Sequence, residues 1–212
     1  MPRRRLRARI PPDGFARPGF TKLSMENSIF TPQKHVVFTF GAVPEAPYLG
    51  TTGMAPCVGF ALHHKASRSA AACHFDSDAV GTSKFDAYEV GNAVINRFIK
   101  GVGQTIDKAC IILGSAPDET SDKLVSYLGD ACEDHGITIE YYRAGMGDWG
   151  LNTATGKMYG CAVPGLDYNG DKGKVCFKSI AMRSKGSPDK VVISRLETPL
   201  AATLKYKPWN QL

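Results

Sequence analysis

The sequence predicts an α/β protein of the α+β kind, with a strand-rich β-sandwich or pair of mixed sheets at its centre and helices packed on the outside. Three observations predict this. Several short segments alternate apolar and polar residues with period two. One glycine-bounded apolar run has the length of a buried strand. Two segments in the middle of the chain repeat apolar residues at helical spacing.

The elements follow in order. Val36, Phe38 and Phe40 alternate in HVVFTFG, which predicts a strand over 35–41. CVGFALHH at 57–64 reads as a strand, KASRS as a turn and AAACHF as a second strand, so the three form a hairpin. Ala87, Val90, Val94 and Phe98 share one face of a helix over 86–100. KACIILG at 108–114 is the apolar run fit for a buried strand. Leu124, Leu128, Ala131 and Cys132 stripe a second helix within 120–136, with Thr120 or Ser121 as its cap and Gly136 as its end. ITIEYY at 137–142 alternates again. GKMYGCAV, KVCFKSIAM and KVVISRL each read as strands, and GLDYNGDKG at 165–173 reads as a loop.

A chain of 212 residues is long enough for one domain with a full core. Its hydrophobic share of 43% and charged share of 22% are those of a soluble globular protein. No apolar run reaches membrane-spanning length, and the start does not read as a secretory signal. The net charge of +6 belongs entirely to residues 1–24, where seven basic residues face Asp13 alone. Residues 25–212 are neutral and show no basic face, which speaks against a nucleic-acid partner. The division expected is therefore a basic N-terminal tail over 1–24, peripheral to the core, and a single catalytic domain over 25–212.

Six cysteines stand at 57, 73, 110, 132, 161 and 176, without CxxC or zinc-site spacing. Scattered cysteines in a chain of this size argue against a disulfide framework and for a reducing, cytoplasmic compartment. Cys110, Cys132 and Cys176 lie in apolar patterns and read as core. Asp167, Asn169 and Asp171 mimic the start of a calcium loop, but Lys172 and Lys178 occupy the positions that need Gly and Glu. GVGQT at 101–105 follows a helix instead of opening one, so it is no phosphate loop.

Cys57 and His74 stand apart from the other candidates. Centring the hairpin on Lys65 and Ala66 puts their side chains directly opposite each other on one face, with Cβ atoms about 5 Å apart. A histidine beside a cysteine favours the thiolate, which is the nucleophile. His63 and His64 lie six and seven residues along the same strand, about 20 Å away at ~3.3 Å per residue. The plain alternatives are a core Cys57, a satisfied edge His74 and a Thr51 that is only a β-branched strand residue.

Thr51, Gly53, Cys57 and Val58, followed by Cys73-His74-Phe75, resemble the pattern of the chemoreceptor glutamine deamidase family CheD. There a threonine lies six residues before the cysteine and a histidine seventeen after it. The likeness continues through CIILGSA, HGITIEYY, RAGMGDWGLN and TATGKMYG, over residues of about 43 to 163. The arrangement is similar to that of the cytotoxic necrotizing factor toxins and Burkholderia lethal factor 1. The resemblance implies a cysteine-dependent deamidase that turns a glutamine of a target protein into glutamate and releases ammonia. Cys57 would be the nucleophile, His74 its base and Thr51 the residue orienting the imidazole. No metal or cofactor is implied, and the protein would act as a monomer on a protein substrate, as a toxin or effector. The alternatives are a chemotaxis deamidase and a catalytically silent binding scaffold on the same fold. One departure bears on that choice. The family carries L-G-S-C or L-S-G-C, whereas this chain has Met54-Ala55-Pro56-Cys57, and Pro56 has no N–H to offer an oxyanion.

Overall fold

A computed structural model describes residues 14–21, 23–77, 87–103, 105–145, 147–160, 172–197 and 200. In chain order it holds β1 (Gly19–Phe20), β2 (Ser28–Thr31), β3 (His35–Thr39), β4 (Tyr48–Thr51), β5 (Val58–His64), β6 (Ser69–Phe75), α1 (Ala87–Val102), β7 (Lys108–Leu113), α2 (Glu119–Asp134), β8 (Ile139–Arg143), β9 (Trp149–Asn152), β10 (Met158–Gly160), α3 (Lys172–Arg183) and β11 (Val191–Arg195). The strands make two mixed sheets. One has six strands in the order β11-β3-β6-β5-β7-β8, the other five in the order β1-β10-β9-β4-β2.

The six-stranded sheet is buried on both faces, which is why β5 and β6 have no exposed position. Side chains alternate between the faces. Val36, Phe38, Phe60, Leu62 and Phe75 face outward and meet Val90, Val94 and Phe98 of α1 and Leu124 and Leu128 of α2. Each such side chain, fully buried, contributes about 1.5–3 kcal/mol relative to exposure. Val37, Ala61, Ala70 and Ala72 face inward and meet Leu49, Trp149 and Leu151 of the other sheet. Alanines at these inward positions leave room for Trp149.

Both central helices form where the apolar spacing places them. α2 is capped two to three residues earlier than the sequence suggests. Asp118 accepts from the Ser121 N–H at 2.8 Å and Ser121 Oγ accepts from the Asp118 N–H at 3.1 Å, a reciprocal capping box. Thr120 and Ser121 therefore lie inside the helix. Gly136, at φ 64°, ends it.

Three expectations change. KVCFKSIAM is not a strand. It lies in α3, where Cys176, Ser179 and Ile180 form the buried stripe at helical spacing, and Ser179 Oγ accepts from the Phe30 N–H of β2 at 2.9 Å. α3 thus covers the open edge of the five-stranded sheet. Residues 172 and 173 belong to α3 and not to the loop expected over 165–173, whose other residues, with Cys161, lie outside those described. Last, the tail is shorter than its charge suggests. Residues 1–13 lie outside the described residues, but from Gly14 on the segment packs against both sheets. Ala16 bridges Tyr142, β1 pairs in parallel with β10, and Leu23 is fully buried with Phe30 and Cys176. The cause is that two apolar residues of this stretch, Phe15 and Leu23, find partners, while Phe20 stays exposed, and charge counting sees neither.

Candidate active site

Cys57, His74 and Thr51 come from three adjoining places. Cys57 immediately precedes β5, His74 is the penultimate residue of β6, and Thr51 ends β4 of the other sheet. The hairpin pairs Gly59 with His74 and Val58 with Phe75. Cys57 is therefore not directly opposite His74, as the sequence suggested; the register differs by two residues. The loop explains the shift. A two-residue hairpin turn of type I′ needs positive φ at both central positions, which Lys65 and Ala66 disfavour. The chain instead uses four loop residues, 65–68, with the Arg68 N–H on the Lys65 carbonyl at 3.1 Å and Arg68 itself at φ 53°. A shift of one residue would send the two side chains to opposite faces, but a shift of two keeps them on one. Cys57 and His74 share the inward face as diagonal neighbours, with Cα atoms about 7–8 Å apart for such a pair.

Glycine at 59 makes the place between them. A Cβ there would stand 2.5 Å from Trp149 Nε1, so the indole of β9 lies directly against the hairpin backbone beside His74. Trp149 donates its Nε1–H to Met54 Sδ at 3.3 Å, tying the indole to the loop that carries Cys57.

The hydrogen bonds fix the histidine's tautomer. Thr51 Oγ1 lies 2.7 Å from the Thr31 carbonyl and 2.9 Å from His74 Nδ1. A carbonyl oxygen only accepts, so the Thr51 hydroxyl donates to Thr31 and must accept from His74 Nδ1–H. The neutral imidazole then carries its lone pair on Nε2, which is enclosed. This is the arrangement in which a third group orients a general base. Thr31 is held in turn, paired with Thr51 in the β2–β4 ladder and donating its own hydroxyl to the Ala72 carbonyl at 3.1 Å.

Asp76 takes the place beside Cys57 that the sequence reading gave to His74. Cys57 Sγ donates to Asp76 Oδ1 at 3.8 Å. The other carboxylate oxygen, Oδ2, accepts from Gln33 Nε2 and faces Lys34 Nζ at 3.5 Å. Gln33 and Lys34 are exposed, whereas Asp76, Cys57 and His74 are 8%, 4% and 3% exposed. The site thus lies just beneath a polar rim.

The segment between Thr51 and Cys57 is held from two sides. Gly53, at φ 70°, gives its N–H to the buried Asp148 Oδ1 at 2.7 Å, and the Met54 N–H meets the Gly147 carbonyl at 2.8 Å. The carbonyls of Met54, Ala55 and Cys57 accept from the N–H groups of Ser115, Ala116 and Gly114 at 2.9–3.1 Å, and Ser121 Oγ donates to the Pro56 carbonyl. Four carbonyl oxygens next to the thiol are thereby turned to donors of the 114–121 segment.

Four further cysteines lie among the described residues. Burial pushes the Cys73 thiol well up, and Cys110, Cys132 and Cys176 up to about 12, which disfavours their thiolates. His63 and His64 serve the far end of the hairpin, on the Thr153 carbonyl at 2.9 Å and Ser67 Oγ at 2.7 Å. His135 sits on Asn92 Oδ1 at 3.0 Å. Among the described residues no group of three or more His, Cys, Asp or Glu is placed to hold a metal ion, and no helix is long and apolar enough to cross a membrane.

Sequence reasoning missed Thr31, Asp76, Asp148 and Trp149. Gly59 inside a strand was a usable signal, since glycine there marks a close approach of another group. Asp76 was within reach too, because two loop residues more in the hairpin bring it opposite Cys57.

No protein-family model matches the chain, and no match to the curated proteins was found. The functional reading therefore rests on the site.

Proposed function

We propose that this protein is a cysteine-dependent deamidase of glutamine side chains in a protein substrate. The observation that carries the reading is the Thr31–Thr51–His74 chain, which leaves Nε2 as the basic nitrogen on the sheet face that also bears Cys57. The resemblance to the CheD and cytotoxic necrotizing factor deamidases adds the reaction class.

The steps balance without a cofactor. His74 Nε2 takes the Cys57 proton, and the thiolate attacks the glutamine carboxamide carbon. The tetrahedral oxyanion meets backbone donors around Cys57, of which Pro56 cannot be one. His74 returns its proton to the amide nitrogen, the C–N bond breaks, ammonia leaves and a thioester remains. His74 then takes a proton from water, hydroxide adds to the thioester, the C–S bond breaks, glutamate is released, and the His74 proton returns to the Cys57 thiolate.

The test is to incubate the protein with extracts of cellular proteins and measure ammonia release and glutamine-to-glutamate conversion. Cys57→Ser and His74→Ala should each lower conversion by ~10³-fold or more, because nucleophile and base act as a unit. Full conversion by Cys57→Ala would overturn the reading. Pro56 favours one rival, a binding scaffold that has lost its chemistry. Under the deamidase reading, Pro56→Ser changes the rate by less than about tenfold, ~1.4 kcal/mol of barrier. An inactive native protein that gains activity with Pro56→Ser would establish the rival.

A further inference from the structure

The proposed mechanism assigns roles to Cys57, His74 and Thr51 and none to Asp76, to which the Cys57 thiol donates. Its two oxygens differ. Oδ2 is engaged by Gln33 Nε2 and by the ammonium of Lys34, both on the rim. Oδ1 points to the reacting sulfur, 3.8 Å away. A carboxylate in that position is an unusual neighbour for a nucleophile, because it gives the thiolate no electrostatic support. It suits something else. A primary carboxamide has two N–H donors and its hydrolysis product has none, so an acceptor beside the attacking atom distinguishes substrate from product.

We infer that Asp76 is a specificity-determining residue whose Oδ1 receives the N–H of the substrate carboxamide and rejects the carboxylate product. The inference rests on the deamidase reading for its substrate class. When the amide arrives, Oδ1 exchanges its contact with the thiol for one with the amide N–H, and the thiol proton is left to His74. The NH₂ group is then held on the Asp76 side, with the carbonyl oxygen directed to backbone donors. After the C–N bond breaks, the carboxylate accepts from the departing ammonia. The glutamate product, negatively charged, meets a fixed negative charge and leaves. Gln33 and Lys34 hold Asp76 in this orientation through the oxygen that does not face the reaction. The same arrangement disfavours ester and carboxylate substrates, which bring no N–H.

Three alkylating reagents of similar size read this directly, without turnover. Iodoacetamide carries the N–H donors, methyl iodoacetate is neutral without them, and iodoacetate has the product's charge. The rate at Cys57 is measured by peptide mass spectrometry on the full chain, each reagent normalised to its rate with a simple peptide thiol. Any change in thiolate fraction multiplies all three rates alike and cancels in the ratios. The native protein should prefer iodoacetamide to methyl iodoacetate by about tenfold or more, the scale of a hydrogen bond to a charged group, and to iodoacetate by more. Asp76→Ala, which removes both acceptor and charge, should bring both ratios near one, with unchanged thermal unfolding as the check on folding. Asp76→Asn, which keeps an amide oxygen but no charge, should lower the discrimination against iodoacetate more than that against methyl iodoacetate. Gln33→Ala should lower them partially. Native ratios near one, or ratios that survive in a folded Asp76→Ala variant, would overturn the inference. Deamidation of a glutamine peptide is followed in parallel. Ratios lost in the variants while the native protein releases no ammonia would support amide recognition and count against the deamidase reading. Deamidation with Asp76-independent ratios would do the reverse.

Discussion

Strands of the six-stranded sheet run five to seven residues, and those of the five-stranded sheet two to four. The first sheet carries the groups proposed to react, Cys57 just before β5 and His74 on β6. The second carries the groups that position them: Thr31, Thr51, Trp149 and, next to it, Asp148. The difference is one of backing. The longer strands are clamped between two layers of apolar side chains, so their backbone is fixed by packing. The shorter strands hold their place by specific contacts, such as the close crossing of Gly50 and Gly150 and the seat of Leu23 beneath it. The proposed chemistry thus falls where the packing is most redundant, and its alignment falls to the part with least to spare.

This contrast predicts where substitutions are felt. The largest effect on stability is expected from Leu23→Ala, which empties the outer side of the five-stranded sheet. A loss of about 2–5 kcal/mol, measured by denaturant unfolding, fits a fully buried leucine. A negligible loss would mean that this sheet stands without the 14–24 segment. Thr51→Val comes next and separates alignment from packing. It removes the hydroxyl that faces Thr31 and His74, and kcat/KM should fall by about 100-fold, ~2.7 kcal/mol of barrier, with Thr51→Ser restoring most of it. A valine variant of native activity would remove Thr51 from the site.

Gly59→Ala probes the contact between the sheets. Its methyl group would meet the indole of Trp149, and a destabilisation of about 1–3 kcal/mol is expected, visible as a lower Tm. The smallest effect concerns His63. Burial, outweighing the hydrogen bond to the Thr153 carbonyl, holds its imidazole below the usual 6.5. The unfolded chain therefore binds the proton more readily. The stability from a neutral His63 is complete above pH ~6.5 and is lost as the pH falls through the lower folded value. His63→Gln should make Tm slightly less sensitive to acid between pH 7 and 5, and an unchanged slope would contradict the shift.

The two sheets were also unequally legible. Period-two alternation and continuous apolar runs revealed the strands at 35–41, 57–64, 70–75 and 108–114, because long strands between two packed layers must show such patterns. β2, β4 and β9 gave no comparable signal, since four residues, with a glycine among them in β4 and β9, hold too few alternations to stand out. α3 was misread because Val175, Cys176 and Phe177 favour strands locally, while its helical spacing shows only against β2. The pairing of Cys57 and His74 on one face was legible; their register was not, because turn chemistry decides it. Thr51 emerged from a motif and not from periodicity. Asp76 emerged only when the hairpin loop was known.

The separation in sequence of these contacts has a kinetic consequence. Cys57 and Asp76 are 19 residues apart, and Thr51 and His74 are 23 apart. The ties that fix the segment between Thr51 and Cys57, from Gly53 to Asp148 and from Trp149 to Met54, each span 95 residues. Closing a short loop is fast, and pairing distant strands is slow. During refolding the hairpin and the contact between Thr51 and His74 assemble early, but the segment that carries Cys57 is not held in place until residues 148 and 149 arrive. If the proposed activity is present, its recovery should trail the recovery of secondary structure, and in a chain still being made the Cys57 segment gains these ties only once residues 148 and 149 have been added.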